Sequence, residues 1–200
     1  MLKIFSDFRP QSVGHANLLV ISSVLPRPTS AGQIILHRHL SQLEQENVSV
    51  CPLPDKVNHP SWIMKLLARL ERTRWHRLGN DLAVLLNGWD WNRTINSSFS
   101  NASPSLVLTV AHGDGCWAAL RFARRHRLPL VTIFHDWWPD IPALHSPLKK
   151  IIERRFQHLY HQSDLALCVS EGMRQHLGSH LNSHVLYPIP AQLPESIATQ

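Results

Sequence analysis

The chain has 200 residues, of which 44% are hydrophobic, so it can bury a full core. Its three cysteines lie far apart and are odd in number, which argues against a disulfide framework and favours a reducing cytoplasm. No segment approaches the roughly 18 apolar residues of a membrane span, and residues 18–21 are too short an apolar stretch for a signal peptide. We therefore expect a soluble cytoplasmic protein. The net charge of +6 indicates an anionic partner such as a phosphorylated ligand, a nucleic acid or a membrane.

In chain order, the pattern begins with a strand over residues 18–21, which is apolar on both faces as in a buried parallel sheet. A Pro-rich loop that contains Gly32 follows, and a helical pattern starts near Gln33. Residues 48–52 form a second short strand. This order of strand, loop, helix and strand predicts one βαβ unit.

The middle of the chain is mainly helical. Residues 61–78 have helical spacing, with apolar side chains on one side and basic ones opposite. Residues 81–86 are compatible with either a helix or a strand. The Asn/Ser-rich segment 92–105 is typical of a loop.

Strands and helices then alternate regularly. The predicted strands cover residues 106–110, 130–134, 165–169 and 185–187, and the predicted helices between them cover 116–126, 148–161 and a stretch after residue 172. This alternation predicts a single α/β domain with a doubly wound, mainly parallel, Rossmann-like sheet of about six strands.

Polar or glycine-containing clusters directly follow four of these strands. They are the Pro-rich loop that contains Gly32, His112 to Gly115, residues 135–140, and Ser170 with Glu171. Ligands of such sheets bind at the carboxyl ends of the strands, so we expect these clusters to line one crevice.

Each cluster has a functional and a structural interpretation. Gly32 can let a phosphate approach a helix N-terminus, or it can be a turn glycine. His112 and Asp114 can hydrogen-bond a polyhydroxylated ligand or act as an acid–base pair, whereas Asp114 can instead cap the next helix. Ser170 can cap a helix or contact a ligand together with Glu171.

The stretch 135–140 is the most informative, because it combines His135 and Asp136 with Trp137, a second indole and a second carboxylate. Indoles stack on sugar faces, and carboxylates and imidazoles exchange hydrogen bonds with hydroxyls. The alternative is that the tryptophans pack over a neighbouring helix.

The sequence predicts no metal site and no cofactor, because the fourteen histidines form no H-E-x-x-H motif and no Cys/His tetrad. Basic residues concentrate in 61–78, flanked by Trp62 and Trp75, and again in 147–158. They fit either an anionic lipid surface or ordinary solvated helix faces. Nucleic acid is not expected, since no binding motif is present.

A family resemblance rests on three stretches taken together, namely residues 130–136 followed by Trp-Pro, residues 164–171 and residues 185–188. Residues 18–190 resemble the N-terminal, acceptor-side domain of family-4, GT-B type retaining glycosyltransferases. The resemblance implies a domain over 1–190, with 191–200 as the start of a linker or tail. It implies metal-independent transfer from a nucleotide-sugar to a glycan or lipid-linked acceptor, with retained configuration. The basic residues of 61–78, together with Trp62 and Trp75, add the expectation of a cytoplasmic chain or one that is peripheral on the inner face of a membrane.

The clusters and the resemblance together indicate roles for individual residues. The chemistry of the clusters above leads us to expect His112, Asp114, Asp136 and Trp137 as acceptor contacts, whereas the resemblance implies that His135 would be the catalytic residue near the transferred sugar. Gly32, Ser170 and Glu171 would lie near the donor phosphates.

Two features depart from the family pattern. Ala31 precedes a single Gly32 where paired glycines are usual, and the chain ends soon after Pro190, where the donor-binding lobe would begin. We therefore expect negligible activity from this chain alone, which would be a fragment, a truncated gene product, or one subunit of a split enzyme whose partner protein supplies the donor lobe. The alternative is a non-catalytic Rossmann-like module that binds a carbohydrate or another protein. A response regulator is disfavoured, because Ser22 and Ser23 stand where its acidic cluster would follow the first strand.

Overall fold

The computed structural model describes residues 17–28, 31–43, 48–54, 62–86, 91, 94–96, 103–142, 144 and 146–187. Within them, six strands form one parallel sheet in the order β2-β1-β3-β4-β5-β6. The strands are β1 (Leu18–Val20), β2 (Val48–Val50), β3 (Leu106–Val110), β4 (Leu130–Phe134), β5 (Leu165–Cys168) and β6 (Ser183–Val185). The predicted doubly wound parallel sheet is confirmed. The predicted linker at 191–200 and most of the predicted loop at 92–105 lie outside the described residues.

Within the described residues, six α-helices with complete bounds and one 3₁₀ turn accompany the sheet, and residues 91 and 94–96 are also helical. The helices are α1 (Ala31–Leu40), α2 (Trp62–Glu71), α3 (His76–Leu86), α4 (Gly115–His126), α5 (Ser146–Gln162) and α6 (Glu171–Leu177), and the 3₁₀ turn covers Trp138–Asp140. The sequence predicted one helix over 61–78, but the structure has two, and residues 81–86 belong to the second. Thr73 separates them, because its hydroxyl donates to the Leu70 carbonyl and accepts from the Trp75 amide.

The last strand also differs from its prediction. It covers Ser183–Val185 instead of 185–187, and its register pairs Ala166 with Ser183. Within the described sheet β6 lies at the edge, beside β5 alone, and its middle residue, His184, is exposed. The apolar signal at Leu186 instead reflects burial just beyond the strand, where the Leu186 amide donates to the Cys168 carbonyl.

The core has two layers, one on each face of the sheet. On one face, Trp117 and Phe122 of α4 join Ile152 and Phe156 of α5 in a single buried cluster. On the other face, side chains of α1 pack against strand residues such as Leu108 and Ile133. Each buried side chain of this size stabilises the fold by about 1.5–3 kcal/mol, so both layers hold the sheet rigidly. All three cysteines are buried.

This layering fixes where the sheet can receive a ligand. From β1 the chain crosses by α1 to β2, and from β3 onward it proceeds in the opposite direction along the sheet. The two directions diverge between β1 and β3, and at such a switch point a crevice opens outside the carboxyl ends of the strands. The loops that follow β1, β3 and β4 meet at this edge.

Candidate functional site

Three polar side chains converge at the carboxyl edge of β3 and β4. The Nε2 atom of His135 lies 2.8 Å from Oδ2 of Asp136, and Nδ1 of His112 lies 3.9 Å from the same oxygen. One ligand atom from each residue can be chosen so that all three lie within 4.8 Å of one another. We call His112, His135 and Asp136 the edge cluster.

The sheet register explains why the two imidazoles meet. Val110 of β3 pairs with Ile133 of β4, so the residues that follow each strand emerge side by side. The rings of His112 and His135 stack with centroids 5.4 Å apart and an interplanar angle of 21°. Residues distant in sequence therefore form a single chemical surface at the edge where the sequence placed a crevice.

Burial keeps the two histidines in their neutral form. It lowers the pKa of His112, and the charge of Asp136 opposes the shift only in part. Burial also lowers the pKa of His135, again opposed by Asp136 and reinforced by the neighbouring His112. A neutral His135 that is hydrogen-bonded to an ionised Asp136 carries its proton on Nε2, because the carboxylate can only accept. Neutral imidazoles beside a carboxylate suit exchange of hydrogen bonds with hydroxyl groups.

A second network joins the loops after β1 and β3. The Ser23 hydroxyl donates to Oδ1 of Asp114 at 2.9 Å and accepts from the Gly115 amide at 2.9 Å. Asp114 itself makes no side-chain cap to α4, although the sequence allowed one. Ser23 thus supplies the hydroxyl that satisfies the first amide of α4, and it fixes the β1 loop against the loop after β3, which also carries His112. We call Ser23, Asp114 and Gly115 the loop clamp.

The loop clamp needs glycine at two positions. Gly113 has a φ of +69°, a left-handed conformation that favours glycine, and an added Cβ there would lie 2.8 Å from the Ser23 hydroxyl oxygen. An added Cβ on Gly115 would lie 2.6 Å from the Ser23 backbone nitrogen. The two loops are therefore in backbone contact, closer than any larger residue permits.

The indoles that the sequence singled out pack into the protein. Trp137 makes edge-on ring contacts with Phe156 of α5 and His176 of α6. Trp138 is buried against Trp117 of α4. These contacts anchor the loop after β4 to the helices and so hold His135 and Asp136 in place.

The remaining site candidates have local partners. The Ser170 hydroxyl accepts from the Met173 amide and caps α6. Glu171 pairs with Arg174 at 2.8 Å, and this hydrogen bond lowers the pKa of Glu171. Gly32 is the second residue of α1. All three residues follow the carboxyl ends of strands, but the contacts between loops described above belong to the edge cluster and the loop clamp.

Sequence reasoning missed two features of this edge. From the sequence, Ser23 was considered only as evidence against a response regulator. Its position soon after β1 was nevertheless a signal of a role at the carboxyl edge of the sheet. The edge cluster offers two imidazoles and one carboxylate that could hold a metal ion, whereas the spacing rules found no ligand set. Such rules search short motifs, and these ligands come from two separate loops.

Comparison with known proteins identifies the family. No curated protein matches the chain. The family model described as Glycosyltransferase Family 4 matches residues 35–189. That match covers β2 to β6 and the whole edge cluster, while Ser23 and Gly32 precede it. Because the match extends over more than half of the chain, this protein belongs to glycosyltransferase family 4.

Proposed function

We propose that this domain is the acceptor-binding half of a GT-B type glycosyltransferase. The complete enzyme would transfer a sugar from a nucleotide-sugar donor to a glycan or lipid-linked acceptor. The configuration of the transferred sugar would be retained. Family membership supports the reaction class. The parallel sheet and its polar carboxyl edge support the assignment of this half to the acceptor.

The observation that carries the proposal is the edge cluster. Its neutral imidazoles and single carboxylate match the hydrogen-bonding needs of sugar hydroxyls. In our proposal His135 is the catalytic residue that contacts the reacting sugar, and Asp136 orients its ring through the 2.8 Å contact. His112 and Trp137 complete the acceptor surface. The Oδ1 atom of Asp114 is engaged by Ser23, so its contribution is to position the loop.

The donor requires a different chemistry. When a nucleotide diphosphate leaves, negative charge develops that positive groups or backbone N–H donors must stabilise. Neutral imidazoles and a carboxylate do not supply that charge. We therefore propose that a second lobe, outside these 200 residues, holds the donor. Gly32 at the start of α1 and Ser170 with Glu171 at the start of α6 would approach its phosphates.

We also propose that the domain docks on the inner face of an anionic membrane. Helices α2 and α3 and the turn between them leave four large apolar side chains exposed: Trp62 (74%), Leu66 (50%), Trp75 (53%) and Leu78 (43%). Exposed basic residues lie among them, namely Lys65, Arg69, Arg72, Arg74 and Arg77, and Arg74 covers the Trp75 ring at 5.5 Å. Apolar side chains for the acyl boundary and cations for the headgroups are the features of an interfacial surface. Within the described residues, no helix is both long and apolar enough to cross a bilayer.

The proposal is tested by measuring donor hydrolysis and sugar transfer with a panel of nucleotide-sugars. The domain is assayed alone and together with a candidate donor lobe, encoded in the same or a neighbouring reading frame. We expect negligible turnover from the domain alone and turnover in the ordinary enzyme range, roughly 1–1000 s⁻¹, from the pair. Transfer at ordinary rates by the isolated domain contradicts the half-site proposal. If ligands bind but no pairing restores transfer, a non-catalytic binding module explains the chain better.

A further inference from the structure

A cavity of about 230 Å³ lies beside the second half of α4, and basic side chains line it. Its lining includes Arg121, Arg125 and His126 of α4, together with Asn96 of the short helical segment 94–96. Phe122 adds an apolar surface, and its ring centroid lies 4.4 Å from that of His126. The cavity therefore combines guanidinium and amide donors with an apolar wall, which is the composition of a pocket for a small polar ligand.

This cavity is separate from the carboxyl edge of the sheet. Helix α4 begins at Gly115, in the loop clamp, and ends at His126, shortly before β4 begins at Leu130. The helix therefore runs from the carboxyl end of β3 back to the amino end of β4. Because an α-helix rises 1.5 Å per residue, Arg125 lies about 15 Å along the axis from Gly115. A ligand in the cavity would occupy a different part of the domain from a sugar at the edge cluster.

The charges of the surrounding helices favour an anion in this cavity. The sequence of α4 has three arginines and no acidic residue, and that of α5 has four lysines and arginines with Glu153 as its single acid. Partial burial lowers the pKa of Arg121, and the charge of Arg155 on α5 lowers it further. Both guanidinium groups stay charged at neutral pH and repel each other, so an anion beside Arg121 would offset the repulsion. Basic residues in the last turn of α4, such as Arg125, also complement the helix dipole, but Arg121 precedes that turn.

We propose that this cavity binds a phosphate group, carried either by a small phosphorylated metabolite or by a lipid headgroup. Arg121 and Arg125 are four residues apart and share one face of α4, and the planar fork of each guanidinium matches two phosphate oxygens. Pockets for drug-sized ligands enclose roughly 300–1000 Å³, so a cavity of about 230 Å³ suits a phosphate with a short polyol. This inference does not rest on glycosyl transfer, because it uses none of the residues of the edge cluster.

The test is binding of glycerol 3-phosphate to the purified chain, measured by isothermal titration calorimetry with enough salt to screen exposed charges. In Arg121→Gln the loss of one guanidinium fork should weaken binding on the order of 10- to 100-fold. Arg121→Lys keeps the charge but lacks the fork, so we expect an intermediate loss. The matched control is Arg124→Gln, which removes the same charge from the same helix outside the cavity lining and should weaken binding less than about twofold. Circular dichroism checks that every variant is folded.

A second measurement determines whether the phosphate belongs to a lipid. Sedimentation compares vesicles of phosphatidylcholine alone with vesicles that also contain phosphatidic acid, whose headgroup is a phosphomonoester. Binding of either probe that Arg121→Gln weakens and Arg124→Gln does not supports the site, and the probe that binds identifies the source of the phosphate. Trp62→Ser should leave the binding of glycerol 3-phosphate unchanged, which separates this cavity from the proposed membrane surface. A chain that binds neither probe, or that both arginine-to-glutamine variants weaken equally, overturns the proposal.

Discussion

Substituting Gly115 by alanine gives a sharp test of the loop clamp. The new Cβ would lie 2.6 Å from the Ser23 backbone nitrogen, 2.9 Å from a ring carbon of Trp91 and 3.0 Å from the Ser22 carbonyl carbon. Comfortable contacts between such atoms are about 3.5 Å or longer, so the β1 loop has to move by roughly 0.5–1 Å. Two of these three atoms belong to the backbone of a neighbouring loop, which cannot yield as a flexible side chain does.

The cost follows from the contacts that the movement disturbs. Overpacking of this kind costs about 1–3 kcal/mol, and the two hydrogen bonds of Ser23 contribute about 1 kcal/mol each. Alanine regains about 1 kcal/mol, because it is a better helix former than glycine at the start of α4. The net expectation is that Gly115→Ala lowers the free energy of unfolding by about 2–4 kcal/mol.

The chain provides a matched control in Gly172, which also lies at the start of a helix. A Cβ there meets only the Ser170 hydroxyl oxygen, at an ordinary 3.9 Å. Gly172→Ala should therefore raise the free energy of unfolding by about 0.5–1 kcal/mol. Urea unfolding followed by tryptophan fluorescence and circular dichroism measures both variants. If Gly115→Ala is as stable as the wild type, the close backbone contact between the two loops is wrong.

Two further predictions concern a buried histidine and the exposed helices. Burial lowers the pKa of His39, so the unfolded chain binds its proton more readily than the native protein does. The stability contributed by the neutral ring is complete above about pH 6.5 and is lost as the pH falls from there towards the lowered native value. In urea unfolding at several pH values, His39→Leu should reduce the loss of unfolding free energy at acid pH, whereas substitution of the exposed His37 should leave that loss unchanged. An equal loss in both variants refutes the attribution to His39. For the membrane surface, Trp62→Ser should weaken binding to anionic vesicles about tenfold, and added salt should weaken it further. The control Leu181→Ser, which changes a fully exposed residue elsewhere, should have no effect. Equal binding of the wild type to neutral and anionic vesicles contradicts the electrostatic part of the proposal.

The sequence was sufficient for the architecture because each buried strand is a short apolar run. The runs at β3, β4 and β5 have no polar alternation, and this pattern requires a parallel sheet covered on both faces. From that inference alone, the carboxyl-end rule placed His112 and His135 at one edge, where their rings stack. Local patterns failed where a polar contact decides the structure, as at Thr73, whose hydroxyl separates α2 from α3.

The details of the candidate site were not predictable in the same way. The bond between Ser23 and Asp114 joins residues from two distant loops, and no spacing rule connects them. The ring of Trp137 is partly buried against Phe156 and His176, and these contacts with two later helices could not be read from the sequence. Composition indicates which residue types are present at an edge, but the packing of neighbouring helices decides which of their atoms are already engaged.

The most direct test of the central claim is the kinetic effect of His135→Ala in the domain combined with its donor lobe. In the proposed site His135 lies at the reacting sugar and is oriented by Asp136, so its loss removes an interaction made mainly in the transition state. We predict that kcat falls by about 10²–10⁴-fold, while the dissociation constant of the acceptor changes by less than about tenfold. A variant with unchanged kcat would show that His135 is structural. A variant that loses acceptor affinity and kcat/KM in equal measure, with kcat intact, would show that it binds the acceptor without acting on the reaction.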